Sequence, residues 1–153
     1  MSNNYEIDSL DKQILSILQK DARTPFIEIA RKLIVSGGTI HQRVDKMKEL
    51  GIIEGSKFEI NYSKLGYDVI VLIGVHLKNA KDCEIVLKNL KMFKEVIGAY
   101  YTTGNYALII KIATKTIADY HSFLMTKLQA IKEIQSTESF ICLDTPIDRE
   151  VTL

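Results

Sequence analysis

Two short amphipathic segments joined by a glycine-containing turn, Thr24 to Ile53 (TPFIEIARKLIVSGGTIHQRVDKMKELGII), constrain this chain more than any other stretch. Phe26, Ile29, Ala30 and Leu33 recur at i, i+3, i+4 and i+7, the spacing of a buried helical stripe. Thr24 is placed to cap that helix and Pro25 suits its first position. Ile34 to Gly38 form the turn, in which Ser36 can cap the next helix and the glycines let backbone approach an outside partner. The next helix is expected to end near Gly51. A preceding helix, capped by Asp8 and running to about Asp21, turns Leu10, Ile14, Leu15, Ile17 and Leu18 inward.

The helix after the turn has two faces. Ile40, Val44 and Met47 hold it to its neighbours, while Thr39, Gln42, Arg43 and Lys46 share the opposite face. Those residue types suit the major groove. Arg43 and Gln42 can make bidentate contacts to guanine and adenine edges, the Thr39 methyl can touch thymine, and Lys46 can reach a phosphate. Ser36 and the free amides at the helix start, that of Gly38 among them, are natural phosphate ligands. His41 lies on the same helix, where it approaches phosphate or base or is an ordinary surface histidine. The bland alternative for the whole segment is a helical subdomain with a solvated charged face.

Charge decides little globally, since 20 Lys and Arg stand against 19 Asp and Glu. Residues 1–60 carry nine of each sign. Between Arg23 and Lys48, however, six basic residues face only Glu28 and Asp45, so the positive charge is concentrated in the stretch that holds the outward-facing helix. One copy is therefore expected to bind DNA weakly, with affinity coming from several copies held together. Beyond Gly51, residues 52–60 alternate and contain Gly55, the pattern of a short strand or wing.

The remaining chain alternates elements. A linker, 61–66, leads to a strand over 67–77 in which Tyr67, Val69, Val71, Ile73, Val75 and Leu77 point one way. A helix follows with Cys83, Val86, Leu87 and Leu90 inward, then strands over 95–103 and 106–113 separated by Gly104-Asn105, a hairpin signal. A helix over 117–131 is expected to bury Ile117, Tyr120, Leu124, Leu128 and Ile131, and a last strand spans 134–143. The fold class is α+β: a three-helix helix-turn-helix domain (winged-helix-like) over 1–60, then a ferredoxin-like βαββαβ domain over 67–153. Its sheet leaves one face uncovered, with Ile70, Leu72, Ile109 and several tyrosines on it, which suggests that two copies pack together.

Catalysis and metal binding find no support. His41, His76 and His121 have no ligand spacing, Cys83 and Cys142 form no CxxC and read as reduced core thiols, and there is no Walker loop, GxGxxG or GxSxG. The start, MSNNYEIDSLDKQ, lacks signal-peptide features, and the longest apolar run, 69–75, is too short to span a membrane, so a cytoplasmic location is expected. The hairpin AYYTTGNY either holds a small zwitterion such as an amino acid or is an aromatic hairpin that only packs. Gln135 to Glu138, polar residues opening an apolar strand, share that ambiguity. A DNA-binding regulator and a small-molecule-binding or enzymatic dimeric ferredoxin-like protein with an N-terminal assembly domain remain the rival readings.

Taken in order, LDKQILSILQKDART, VSGGTIHQRVDKMKELGII, LGYDV, AYYTTGNY and EIQSTES resemble the Lrp/AsnC family of bacterial transcription regulators over essentially the full length. SGGTIHQRV, LGYDV and YYTTG look most like the asparagine-responsive branch, which controls asparagine synthetase. The resemblance implies no cofactor, binding to double-stranded DNA, and homodimers that assemble further, commonly to octamers. It also implies an amino-acid effector held between dimers. Carried onto this sequence, the effector positions are Tyr100, Gly104, Asn105, Tyr106 and Ala107, opposed by Gln135, Ser136 and Thr137. Ala107 departs from the pattern, because many members have an acidic residue there to pair with the ligand's amino group.

Overall fold

The computed structural model describes residues 5–153, in two compact units: one runs up to Glu59 and includes Asp148–Leu153, and the other is Ile60–Ile147. In the first unit, helices α1 (Ser9–Lys20), α2 (Phe26–Leu33) and α3 (Gly37–Glu49) enclose a core of Ile14, Ile29, Ala30, Ile40, Val44 and Met47. Helix α1 begins in a reciprocal capping box: the Asp8 carboxylate accepts from the Asp11 amide, and the Asp11 carboxylate from the Asp8 amide. Pro25, not Thr24, occupies the cap position of α2, and the Thr24 hydroxyl instead donates to the Asp21 carbonyl at 2.8 Å, closing the preceding turn. Ser36 caps α3 as expected, and Gly51, at φ 71°, takes the left-handed position that ends it.

The turn between α2 and α3 is made by Ile34 in the left-handed conformation, at φ 57° and ψ 47°. A β-branched residue is costly there, and its side chain is almost fully exposed, so packing does not recover that cost. The glycines after it solve no crowding problem: a Cβ on Gly37 would meet nothing within 4 Å. Residues 52–60 form no strand, so the expected wing is absent. Its alternation serves another purpose, since Ile53 packs against the helical core and the Phe58 ring lies under the Arg23 guanidinium at 4.5 Å.

The second unit is an antiparallel sheet of β1 (Val69–Leu77), β2 (Val96–Tyr101), β3 (Leu108–Thr114) and β4 (Ile134–Cys142), in the order β2-β3-β1-β4. Helices α4 (Cys83–Leu90) and α5 (Ile117–Phe123) supply Val86, Leu90 and Phe123 to one core with Val71, Ile73, Val75, Leu108, Ile110 and Ile112. Both helices therefore cover the same face, the ferredoxin-like arrangement. Tyr67 falls outside β1 and is exposed; its ring meets Tyr62 edge-on and the Lys115 ammonium at 5.4 Å.

Helix α5 is shorter than its periodicity predicts. It widens at Leu124–Leu128 into a π-helical turn, with the Gln129 amide bonded to the Leu124 carbonyl. Ile117 is exposed in the first turn beside the Thr116–Asp119 capping box, and Phe123 takes the core position instead. Cys83 and Cys142 are free and half-buried, so the expectation of two core thiols holds only loosely.

Candidate functional site

Helix α3 does present Thr39, Gln42, Arg43 and Lys46 on the face away from Ile40, Val44 and Met47, but these side chains differ in availability. The Thr39 hydroxyl is 2.8 Å from Ser36 Oγ, so the two short side chains are tied together at the helix start. Gln42 is exposed and has no hydrogen-bond partner among the described residues, while Lys46 pairs with Glu49 at 3.3 Å. His41 is exposed with its ring edge-on to Phe26, 4.7 Å between centroids. Gly38 is open, its nearest neighbour being Ser36 Oγ.

Arg43 is the exception. One of its terminal nitrogens, Nη1, donates to Asp8 Oδ2 at 2.7 Å and to Asp11 Oδ1 at 3.0 Å. Asp11 is completely buried, and its other oxygen accepts from the Tyr5 hydroxyl at 2.8 Å. The hydrogen bonds to Asp11 and Asp8 push the Arg43 guanidinium above its ordinary value, and the Asp11 amide, then Arg43, hold the Asp8 carboxyl below its ordinary value. Sequence reasoning placed Arg43 on the outward face and missed this brace. The available signal was Asp11 itself, a carboxylate three residues before Ile14 on the buried stripe of α1, where a charge needs a partner.

The brace sets a pH dependence. Asp8 has a depressed folded-state pKa, so its contribution is present above the ordinary carboxylate pKa of about 4 and is lost as pH falls through the lower folded value. Acid titration of the folded first unit is expected to show this loss below about pH 4, and Asp8→Asn to shrink it. An unchanged acid transition in that variant, followed by circular dichroism, would exclude Asp8 as its source.

In the second unit the predicted hairpin lies between β2 and β3. Thr102 and Ala107 close it, with the Thr102 amide donating to Ala107 O at 3.2 Å and its hydroxyl to Tyr106 O at 2.5 Å. Pairing of Val75 with both Leu108 and Thr137, and of His76 with Ser136, puts the hairpin base and the start of β4 at the same end of the sheet, on opposite flanks of β1. Gly104 and Asn105 are exposed at its tip. The register divides the predicted residues. Tyr100 and Ser136 face the uncovered side, whereas Thr137, opposite Val75, faces the helices.

Tyr106 is the anchor of this end. Its ring lies against Gly74 of β1, where an added Cβ would fall 2.6 Å from ring atoms, so only glycine leaves room. The His76 ring is 5.0 Å away, and the Tyr106 hydroxyl crosses to donate to Glu138 Oε2 on β4. That bond raises the Tyr106 pKa, with desolvation adding to it, and keeps the phenol a donor. Gly74 and His76 were not among the predicted site residues, and Glu138 was singled out only as the last of the ambiguous polar residues Gln135 to Glu138. Among the described residues no cluster of His, Cys, Asp and Glu could hold a metal, and no helix is long and apolar enough to cross a membrane.

A sequence profile described as the AsnC-type helix-turn-helix domain matches residues 7–48, and one described as the Lrp/AsnC ligand binding domain matches residues 68–152. The chain belongs to the Lrp/AsnC family. It is 56% identical over 147 residues to regulatory protein AsnC of Haemophilus influenzae, covering 96% of this chain and 98% of that one. To regulatory protein AsnC of Escherichia coli K12 it is 47% identical over 148 residues, 97% of each. The solved structure of E. coli AsnC superposes with a TM-score of 0.94 at 46% identity, covering 97% of this chain and 100% of that one. A Neisseria meningitidis transcriptional regulator solved with L-Met has a TM-score of 0.88 at 19% identity, covering 97% of this chain and 96% of its own, a likeness of fold. This Lrp/AsnC-family chain is therefore a transcription regulator with a helix-turn-helix DNA-binding domain and a ligand-binding domain, and it is not an enzyme.

Proposed function

We propose that this regulator reads specific DNA in the cytoplasm through α3 of paired copies, and that a small amino acid, L-asparagine, shifts that binding. Its targets are genes of amino-acid metabolism such as asparagine synthetase. The observation that carries the DNA reading is the exposed, unengaged amide of Gln42 beside Thr39 and Lys46 on a helix held rigidly from behind. Gln42 reads a base edge, Thr39 contributes its methyl, and Ser36, the Gly38 amide, His41 and Lys46 meet the backbone. Arg43 holds α3 against α1 and has its second terminal nitrogen left for DNA. Gln42→Ala is expected to cost about 1–3 kcal/mol on the operator and little on random DNA in a gel shift. An equal loss on both would remove Gln42 as a base reader.

The effector surface comprises Tyr100, Gly104, Asn105, Tyr106 and Ala107 of the hairpin end with Gln135 and Ser136 of β4, while Thr137, expected there from the resemblance, is turned to the helix-covered side. Asparagine is supported by the identity to the AsnC proteins and by the branch-like motifs SGGTIHQRV, LGYDV and YYTTG. The uncovered sheet face, with Leu72 and Ile109 half-buried and Tyr100 and Phe140 exposed, supports pairing of two copies, and membership of the family supports further assembly of such dimers to an octamer. An effector acts only through its different affinity for the two states of that assembly. Two measurements test the reading. A gel shift should favour DNA upstream of the chain's own gene over random DNA, and calorimetry against the twenty amino acids should select asparagine. No DNA preference would sink the regulator's specificity, and an inert asparagine beside another active amino acid would replace the effector.

A further inference from the structure

The uncovered face of the sheet contains one carboxylate. Alternation along the paired strands puts Ile70, Leu72, Gly74 and His76 of β1 on it, with Ile109, Lys111 and Ala113 of β3 and Ser136, Glu138, Phe140 and Cys142 of β4. Glu138 sits directly opposite Gly74, at the end of the sheet where the hairpin closes. It forms no ion pair among the described residues, and Lys111, the one cation of that face, lies one pairing step away beyond β1 and does not reach it. A carboxylate on a largely apolar face, engaged on one side by a neutral phenol and by no cation, is a site for a positive group.

Its setting is built by three features. Gly74 lacks the Cβ that would displace the Tyr106 ring, the Tyr106 hydroxyl bonds Oε2, and Ser136, on the same face of β4, adds a hydroxyl two residues away. Oε1 is left without a hydrogen-bond partner among the described residues. The hairpin contains no acidic side chain, so it can offer amides and hydroxyls to a ligand's carboxylate and side chain but no negative charge to its ammonium.

We propose that Glu138, held by Tyr106 over Gly74, is the residue that binds the α-ammonium group of the amino-acid effector. The assignment rests on the amino-acid reading of this site and adds the group by which an amino acid is told from the same molecule without its amine. Glu138 and Tyr106 are then a recognition residue and its positioning residue, and Gly74 is the notch that lets them meet.

Calorimetry on the full chain tests it with L-asparagine and succinamic acid, which is asparagine lacking the α-amino group. The unmodified chain should prefer asparagine by about 10- to 100-fold, the worth of a charge-assisted hydrogen bond. Glu138→Gln should lose that factor for asparagine and bind succinamic acid as before. Asparagine affinity unchanged in Glu138→Gln, or both ligands weakened alike, overturns the assignment while leaving the effector reading intact. If none of the twenty amino acids binds the unmodified chain, both fall; if another one binds, it and its des-amino analogue take the two places. Should Glu138→Gln melt before it can be titrated, Tyr106→Phe keeps the charge and frees the carboxylate. It should reduce the preference for asparagine over succinamic acid by about 3- to 10-fold, and an unchanged preference also refutes the proposal.

Discussion

Arg43→Ala is expected to lower the stability of the first unit by about 3 kcal/mol, because it leaves a buried carboxylate without its cation. Asp11 is fully buried and keeps only the Tyr5 hydroxyl and the Asp8 amide once the guanidinium is gone. Arg43→Lys should be milder but not neutral, since one flexible ammonium replaces a planar group that bonds two carboxylates from a single nitrogen. A double-mutant cycle with Asp11→Asn, read by thermal or urea unfolding, should give a coupling energy above about 1 kcal/mol. DNA binding at a temperature where the variant remains folded separates the two roles of Arg43. Loss on all sequences alike follows from a displaced α3. Undiminished stability, with weakening confined to operator DNA, would make Arg43 a base reader and the brace incidental.

The second large effect is expected at the uncovered sheet face. Phe140 lies directly opposite Leu72 and is about half exposed in the single chain, so Phe140→Glu should cost the isolated protomer little. If two copies pack through this face, symmetry repeats the damage. Losing the burial of two phenylalanines is worth about 3–5 kcal/mol per dimer, at least 100-fold in its dissociation constant, before any penalty for the buried charge. Sedimentation at micromolar concentration should show monomers where the unmodified chain is assembled, and operator affinity should fall with the pairing of half-sites. An assembly that survives Phe140→Glu would move the interface off this face.

Periodicity alone made most of the fold legible in the sequence. The stripes of α1, α2 and α3 and the alternation of β1 each carry several apolar residues at one spacing, so a misplaced end residue does not change the assignment. The misreadings have local causes. Residues 52–60 alternate like a strand, yet no neighbouring strand offers its backbone a partner, and the apolar residues pack individually. Helix α5 deviates because a π-helical turn shifts the angular phase, and a pattern read at 3.6 residues per turn then assigns Ile117 inward and overlooks Phe123.

The sites were legible to a lesser degree, for a different reason. The outward face of α3 follows from helix geometry alone, but which of its side chains is free depends on α1, which is distant in sequence. Asp8 and Asp11 were readable as a helix start and not as partners of Arg43, because a pairing across more than thirty residues leaves no local pattern. Gly74 and Glu138 have the same difficulty. One reads as a gap in an apolar strand and the other as a polar residue on an edge, until strand register sets them side by side beneath Tyr106.

The ion pairs of α3 also bear on how the protein finds its site. Lys46 is engaged by Glu49, Lys48 by Asp45 at 3.9 Å, and Arg43 by two aspartates, so much of the positive charge around the reading helix already has a carboxylate beside it. Arg31 and Lys32, at the end of α2, pair with no carboxylate among the described residues. Few condensed counterions are then released when one copy meets arbitrary duplex, and its affinity there should vary with ionic strength by a correspondingly shallow slope. A reader built this way spends little time bound to irrelevant sequence. Residence on DNA becomes a property of how many copies land in register at once.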